Sequence, residues 1–270
     1  MEQQKRYPEV AGFFYPEGIE EINKQLRIFL KSDKEVSGVL GAIVPHAGWS
    51  CSGVAAGKVF ASIEKFDTYI VLGPNHHGSG KPISVYPSGE WILPNGKIEI
   101  DTEVVSALIK EAEILKPDAS AHLQEHSIEV QIPFILTWSP KAKLVPISMY
   151  DYSKKSIKKL SEALFKIISK SQERILLVAS SDMTHYEAPG FAREQDFKAI
   201  AKIEKLDLDG FLSVVDREEI TMCGVGPVGV VMETSRLLGA KKGEVLIYTN
   251  SGETCSPGTE VVGYLGLVFK

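Results

Sequence analysis

No stretch of the 270-residue chain approaches the roughly 18 consecutive apolar residues that a membrane helix needs; the longest candidate, Val261 to Phe269, has strand length. A membrane partner is therefore not expected. Basic residues are also short: 30 Lys and Arg stand against 35 Asp and Glu, a net charge of −5. The chain offers no general basic footprint for nucleic acid. Its opening, MEQQKRYPEV, lacks an apolar segment after its basic residues, so no secretory signal is expected and the reading is cytoplasmic. The three cysteines, Cys51, Cys223 and Cys255, are odd in number and widely spaced. They make a poor disulfide framework and leave open a thiol ligand or nucleophile. There is no G-x-S-x-G elbow, no phosphate-binding G-x-x-x-x-G-K-[ST], no C-x-x-C and no H-E-x-x-H, which counts against serine hydrolases, nucleotide hydrolases, zinc ribbons and zincins.

What is present is ordinary globular composition, 44% hydrophobic and 24% charged, without low-complexity tracts or internal repeats. Short apolar runs at 38–44, 68–72, 81–86, 143–149, 174–180, 244–250 and 260–269 read as strands. Between them, helical spacing appears at 17–31, 53–64, 101–112, 126–138, 154–170, 190–205 and 228–239. Strands alternating with helices imply an α/β sheet covered on its faces. With no linker or composition shift, residues 1–270 read as one domain with a central mixed or parallel sheet.

The histidines cluster by position. His46 follows the strand ending at Val44, His76 and His77 follow the one ending at Leu72, and His185 follows the one ending at Ser180. Ligands of open α/β sheets bind beyond the carboxyl ends of the strands, so three histidine-bearing loops point towards one crevice. In VPHAGWSCSG a neutral His46 imidazole on a constrained loop can bind a metal. In GPNHHG adjacent side chains of an extended segment point oppositely, so one of His76 and His77 faces the site and the other faces solvent.

Cys223, in TMCGVGPVG, precedes a helical run. It reads either as an inert buried thiol or as a thiolate favoured by a helix N-terminus. The literal G-x-G-x-x-G there lacks the preceding strand of a dinucleotide fold. In SSDMTH, Asp182 and His185 are close enough to serve one site, Asp182 fixing an imidazole tautomer and His185 moving a proton, while a turn cap is the plainer role for Asp182. In EHSIE, Glu125 and Glu129 are one helical turn apart and His126 shares a face with Glu129, a network that is either structural or catalytic.

Taken together, RYPEVAGFFYP, VPHAGWSCSG, GPNHHG, EHSIEVQIPF, SSDMTH and CGVGPVG resemble, in order and spacing, the Memo family, from residue 6 to the C-terminus. The resemblance implies a three-layer fold similar to the class III extradiol ring-cleaving dioxygenases of the LigB type. It implies an iron(II) or copper site formed by His46, His76 and Cys223, with zinc able to bind in vitro, and His185 at the dioxygenases' acid/base position. The thiolate departs from their 2-His-1-carboxylate triad and is a softer ligand. Three functions are expected to compete: a metal-dependent redox enzyme acting on a small molecule, a module binding a peptide or protein partner in the same cleft, and a metal carrier or sensor. Trp49, His77, Glu125, His126 and Glu129 are expected in the outer shell or the cleft, with Tyr186 as an aromatic neighbour.

Overall fold

A computed structural model describes residues 4–270. The chain runs β1 (Lys5–Arg6), α1 (Ile19–Phe29), β2 (Gly41–Val44), α2 (Trp49–Ser62), β3 (Thr68–Pro74), β4 (Ile83–Val85), β5 (Glu90–Leu93), β6 (Gly96–Glu99) and α3 (Thr102–Glu111). The middle third holds β7 (Lys116–Pro117), α4 (Ile132–Trp138), β8 (Lys143–Met149), α5 (Lys154–Ile168) and β9 (Ile175–Ser180). The last part holds β10 (His185–Glu187), α6 (Pro189–Ile203), α7 (Leu208–Arg217), α8 (Val225–Leu238), β11 (Gly243–Asn250), α9 (Ser251–Thr254) and β12 (Val261–Phe269).

Nine strands form one mixed sheet in the order β10-β12-β2-β9-β3-β8-β4-β7, with β11 on β12. At its centre β2, β9, β3 and β8 are parallel. They are apolar without alternation because helices cover both faces. α1, α2 and α4 pack together on one face, and α8, backed by α3, α5 and α7, packs on the other. One contiguous core joins the layers, from Trp49, Phe60 and Phe134 to Tyr69, Leu177 and Phe269. This is the α/β architecture expected from the alternating pattern. Its functional consequence lies in direction: parallel β2, β3, β8 and β9 bring Val44, Pro74, Met149 and Ser180 to the same edge, with Val44 opposite Ser180 and Pro74 opposite Met149.

Several local expectations change. The segment 126–138 is not one helix: residues 127–128 form a turn, Glu129–Gln131 a 3-10 turn, and the α-helix starts only at Ile132. Glu125 and Glu129 therefore do not share a helical face, because buried side-chain contacts, described below, hold this segment in place of helical hydrogen bonds. α2 begins at Trp49, earlier than the expected residue 53, its first amide donating to the Phe14 carbonyl. Elements that had not been anticipated include α7, the short β7, β10 and α9, and a β5-β6 hairpin that β1 joins to make a separate three-stranded sheet. The hairpin turn is Pro94-Asn95, and Gly96, at a positive φ that glycine adopts without strain, opens β6 opposite Leu93. No helix of the described residues is long and apolar enough to cross a membrane.

The cysteines also depart from expectation. Cys51, at the start of α2, forms a disulfide with Cys255, just after α9, across 204 residues of sequence. Spacing gave no sign of it, because only the packing of α9 against α2 brings the two Cα atoms to 4.9 Å. Cys223 remains as the free thiol. Closing so long a loop restricts the unfolded chain, an effect worth about 3 to 5 kcal/mol. Cys51→Ser/Cys255→Ser, or reduction of the wild type, is therefore expected to lower the thermal midpoint by roughly 10 °C, measured by calorimetry with and without a dithiol. Identical midpoints would rule out this contribution.

Candidate metal centre

The site is built on the shared carboxyl edge of the central strands. Pro45 ends β2, and His46 turns inward to be buried. Its loop is fixed from β9's exit: the buried Asp182 carboxylate accepts the backbone N–H groups of His46 (2.8 Å) and Ala47 (3.2 Å). The His46 Nδ1 lies 3.0 Å from Ser180 Oγ. That hydroxyl donates its one hydrogen to the Ser127 carbonyl at 2.6 Å, and Gln131 donates to it. Ser180 Oγ can only accept from His46, so Nδ1 carries the proton and Nε2 holds the lone pair. Burial, reinforced by the nearby His126 and His76, holds the His46 pKa well below its usual value, so the ring is neutral.

His76, beyond β3, reaches the same point by another route. Its backbone N–H and its Nδ1 meet the two oxygens of Glu125, at 2.7 and 2.8 Å. Glu125 is buried, which opposes ionisation, but the bonds from His76 and from the Ser127 amide hold its carboxyl well below the usual range. An ionised carboxylate accepts from Nδ1–H and leaves Nε2 free, the outer support that orients a ligating imidazole. His126 stacks on the His76 ring with centroids 4.7 Å apart and lies edge-on to His46 at 5.5 Å. Burial pushes its pKa down to about 4.

The sulfur comes from the opposite side. A Cβ on Gly224 would sit 2.4 Å from the Ser181 side chain; only glycine lets the turn before α8 approach β9's exit so closely. There the Gly224 amide donates to Ser181 Oγ and the Asp182 amide to Cys223 Sγ at 3.3 Å. Cys223 Sγ lies 3.2 Å from His46 Nε2. Despite its place just before α8, burial and the neighbouring Asp182 push the thiol pKa up rather than down. Without a metal the sulfur is a thiol, and the favoured thiolate expected from the helix end does not arise.

Potential ligand atoms of His46, His76 and Cys223 all lie within 4.8 Å of one another. At bond lengths of roughly 2.0 to 2.3 Å, tetrahedral donors stand less than about 4 Å apart, so this set fits one ion after small adjustments. Two imidazole nitrogens with their other N–H groups tied down, plus a thiolate, suit copper, zinc or iron(II) and leave coordination positions open.

The remaining sequence candidates divide. Asp182 supports the His46 loop and makes no hydrogen bond to His185, so it does not set that ring's tautomer; burial raises its pKa to about 6 against the pull of the amides it accepts. The His185 amide is bound by Thr221 Oγ1 and its Nδ1 by the Thr221 carbonyl at 2.9 Å. Nδ1 is thus the donor, and the ring is held from Thr221, two positions before Cys223. Tyr186 beside it is 75% exposed, in the left-handed region at φ 60°. His77 is exposed and makes no hydrogen bond among the described residues. Trp49 is not in a cleft: it is core, packed on Phe134 and Tyr15, with its N–H on the Val130 carbonyl. Glu129 is likewise structural. It is fully buried and binds Arg6, the Tyr15 hydroxyl and the amides of Glu9 and Val10, anchoring the N-terminal segment. Sequence reasoning had not given a site role to Arg6, Ser127, Gln131, Ser180 or Thr221, although all five fall within motifs already noted; a polar side chain in a motif that carries a candidate ligand was the available signal.

The fold and site define an α/β protein with an imidazole-imidazole-thiol cluster at the carboxyl edge of its sheet. Comparison with known proteins places it more closely. The Memo-like protein family model matches residues 6–268, and the chain belongs to that family. A MEMO1 family protein of Aquifex aeolicus is 40% identical over 270 residues, covering 98% of each chain. One from Thermococcus onnurineus is 37% identical over 289 residues, covering 98% of this chain and 99% of the relative. Among solved structures, an uncharacterized Escherichia coli K12 protein is similar in fold, with a TM-score of 0.52 at 12% identity, covering 86% of this chain and all of its own.

Two carboxylates close in sequence are expected to behave differently. Glu125→Gln weakens the hold on His76 and is expected to lower affinity for added zinc about 10-fold with little change in the melting midpoint. Glu129→Gln leaves Arg6 buried without its charge partner and is expected to cost about 3 to 5 kcal/mol of stability. Zinc titration and denaturant unfolding of both variants check this, and a reversed pattern would exchange the two roles.

His122, from the buried 3-10 turn beneath Arg6, carries a pH prediction. Burial, with the Arg6 guanidinium adding to it, pushes its pKa down to about 3. An unfolded histidine has a pKa of about 6.5, so below that pH the unfolded chain takes up a proton that the fold refuses. This contribution to stability is fully present above pH 6.5 and is lost as pH falls towards 3. His122→Phe is expected to lessen the acid-side slope of stability against pH by up to one proton, measured by urea unfolding from pH 7 to pH 4.

Proposed function

We propose that the protein is a metal-dependent redox protein that acts on a small organic molecule, with His46, His76 and Cys223 holding iron(II) or copper. One observation carries this reading: both histidines have Nδ1–H committed, to Ser180 and to Glu125, so that both Nε2 lone pairs are free beside a free thiol. A structural histidine cluster does not need that arrangement, whereas a ligating one does. The bound ion would supply one-electron chemistry and open positions for substrate or dioxygen. Asp182 keeps the His46 loop in place, and Glu125 keeps His76 in the ligating tautomer. His185, with Nδ1–H on the Thr221 carbonyl, takes or gives a proton at Nε2. Thiolate in place of a carboxylate favours softer ions and separates this centre from the facial triad of ring-cleaving enzymes.

The test separates ligands from the proton carrier. Cys223→Ser is expected to weaken zinc or copper(I) binding by at least 100-fold while the chain stays folded, and His185→Ala to keep full metal content but lose oxygen consumption. Metal content by mass spectrometry after anaerobic reconstitution, with oxygen uptake on the same samples, reads both. Full metal content without oxygen uptake under any substrate screened would favour a metal carrier, and unchanged binding in Cys223→Ser would remove the centre altogether.

A further inference from the structure

A cleft of about 790 Å³ lies at the same edge of the sheet, between the segment leaving β8 and the α7-α8 connection. Cys223 and Met222 are part of its wall. Strand direction explains the contact: β8 lies beside β3, so Tyr150 emerges next to the loop carrying His76, and the Asn75 amide binds the Met149 carbonyl. A pocket that opens to solvent and has a candidate ligand residue in its wall is a substrate passage by position.

Its walls combine two chemistries. Tyr150 and Tyr152 are 41% and 62% exposed, and Leu212 and Val215 add apolar surface opposite them. The charges are mostly negative: Asp151, Asp216 and Glu219 line the cleft against a single cation, Lys154. Lys154 is already engaged by Asp209 at 2.7 Å, and the nearby Arg217 and Lys198 are engaged by Glu218. Among the described residues, no salt bridge takes up Asp216 or Glu219. Asp151 is bound only by the Ser153 amide and the Ser156 hydroxyl. Uncompensated carboxylates in a concave site draw cations into it, and exposed tyrosine faces bind a flat cation further.

We propose that this cleft admits a cationic, flat organic molecule, a protonated amine carried on an aromatic frame, and presents it to the Cys223 side of the cluster. The inference rests on the metal-dependent reading above for the purpose of the cleft, but not for its charge preference. Anionic ligands of the same shape, phosphorylated aromatics included, are disfavoured by the same walls.

The test uses the full chain and two probes of nearly equal shape and opposite charge, tyramine and 4-hydroxyphenylacetate, titrated calorimetrically into metal-free protein at low salt. Tyramine is expected to bind at least 10-fold more tightly, with affinity falling as salt rises. Asp216→Asn/Glu219→Gln is expected to weaken tyramine at least 5-fold, while Glu20→Gln/Glu99→Gln, an equal charge change on remote surface, leaves it unchanged. Cobalt(II) loading is followed separately, and tyramine is expected to shift the cobalt absorption bands. Equal binding of both probes, preference for 4-hydroxyphenylacetate, no binding of tyramine, or full tyramine affinity in the cleft variant would each overturn the proposal. Loss of cobalt binding with intact tyramine preference would sink the metal reading alone, whereas cobalt bands indifferent to bound tyramine would overturn delivery to Cys223.

Discussion

A single hydroxyl hydrogen sets the chemistry of the site. Ser180 has one proton and gives it to the Ser127 carbonyl, so it must accept from both Gln131 and His46. Through that one oxygen the end of β9, the loop after β2 and the irregular 125–131 segment are locked together, and the free nitrogen of His46 is fixed. Because all the partners are buried, a changed tautomer would leave polar groups unsatisfied in a low-dielectric interior, a cost of about 1 to 3 kcal/mol for each group.

The same economy explains the unusual path of residues 125–131. A regular helix would satisfy its own backbone and leave Glu125 and Glu129 on one face. The turn instead sends Glu125 to His76 and Glu129 to Arg6. One carboxylate orients a candidate ligand, and the other fastens the N-terminal segment that buries Tyr15 against Trp49. Both are buried, and both are matched by donors, as buried charge requires. The disulfide between Cys51 and Cys255 fastens the other side of the His46 loop, where α2 meets α9.

Burial also decides which groups are charged. His46 and His126 are held neutral and Cys223 is held as a thiol. Before metal binds, His46 and Cys223 therefore bring no charge to the site, and the ion would replace the thiol proton. Along the neighbouring cleft, by contrast, Asp216 and Glu219 make no salt bridge among the described residues.

The sequence by itself determined the alternation of strands and helices, the placement of His46, His76 and His185 just past strand ends, and the presence of Asp182, Glu125 and Cys223 in short constrained motifs. These are local facts: apolar runs covered on both faces read as strands whatever their neighbours, and a histidine after such a run lies at the carboxyl edge. Only the tertiary structure decided that Trp49 and Glu129 serve the core, that Asp182 holds the His46 loop rather than His185, and that Cys51 pairs with Cys255. Each of these depends on a contact between segments distant in sequence, 136 residues apart for Asp182 and His46 and 204 for the two cysteines. A side chain's partner across such a distance is set by strand order and layer packing, and residue type and spacing do not encode those locally.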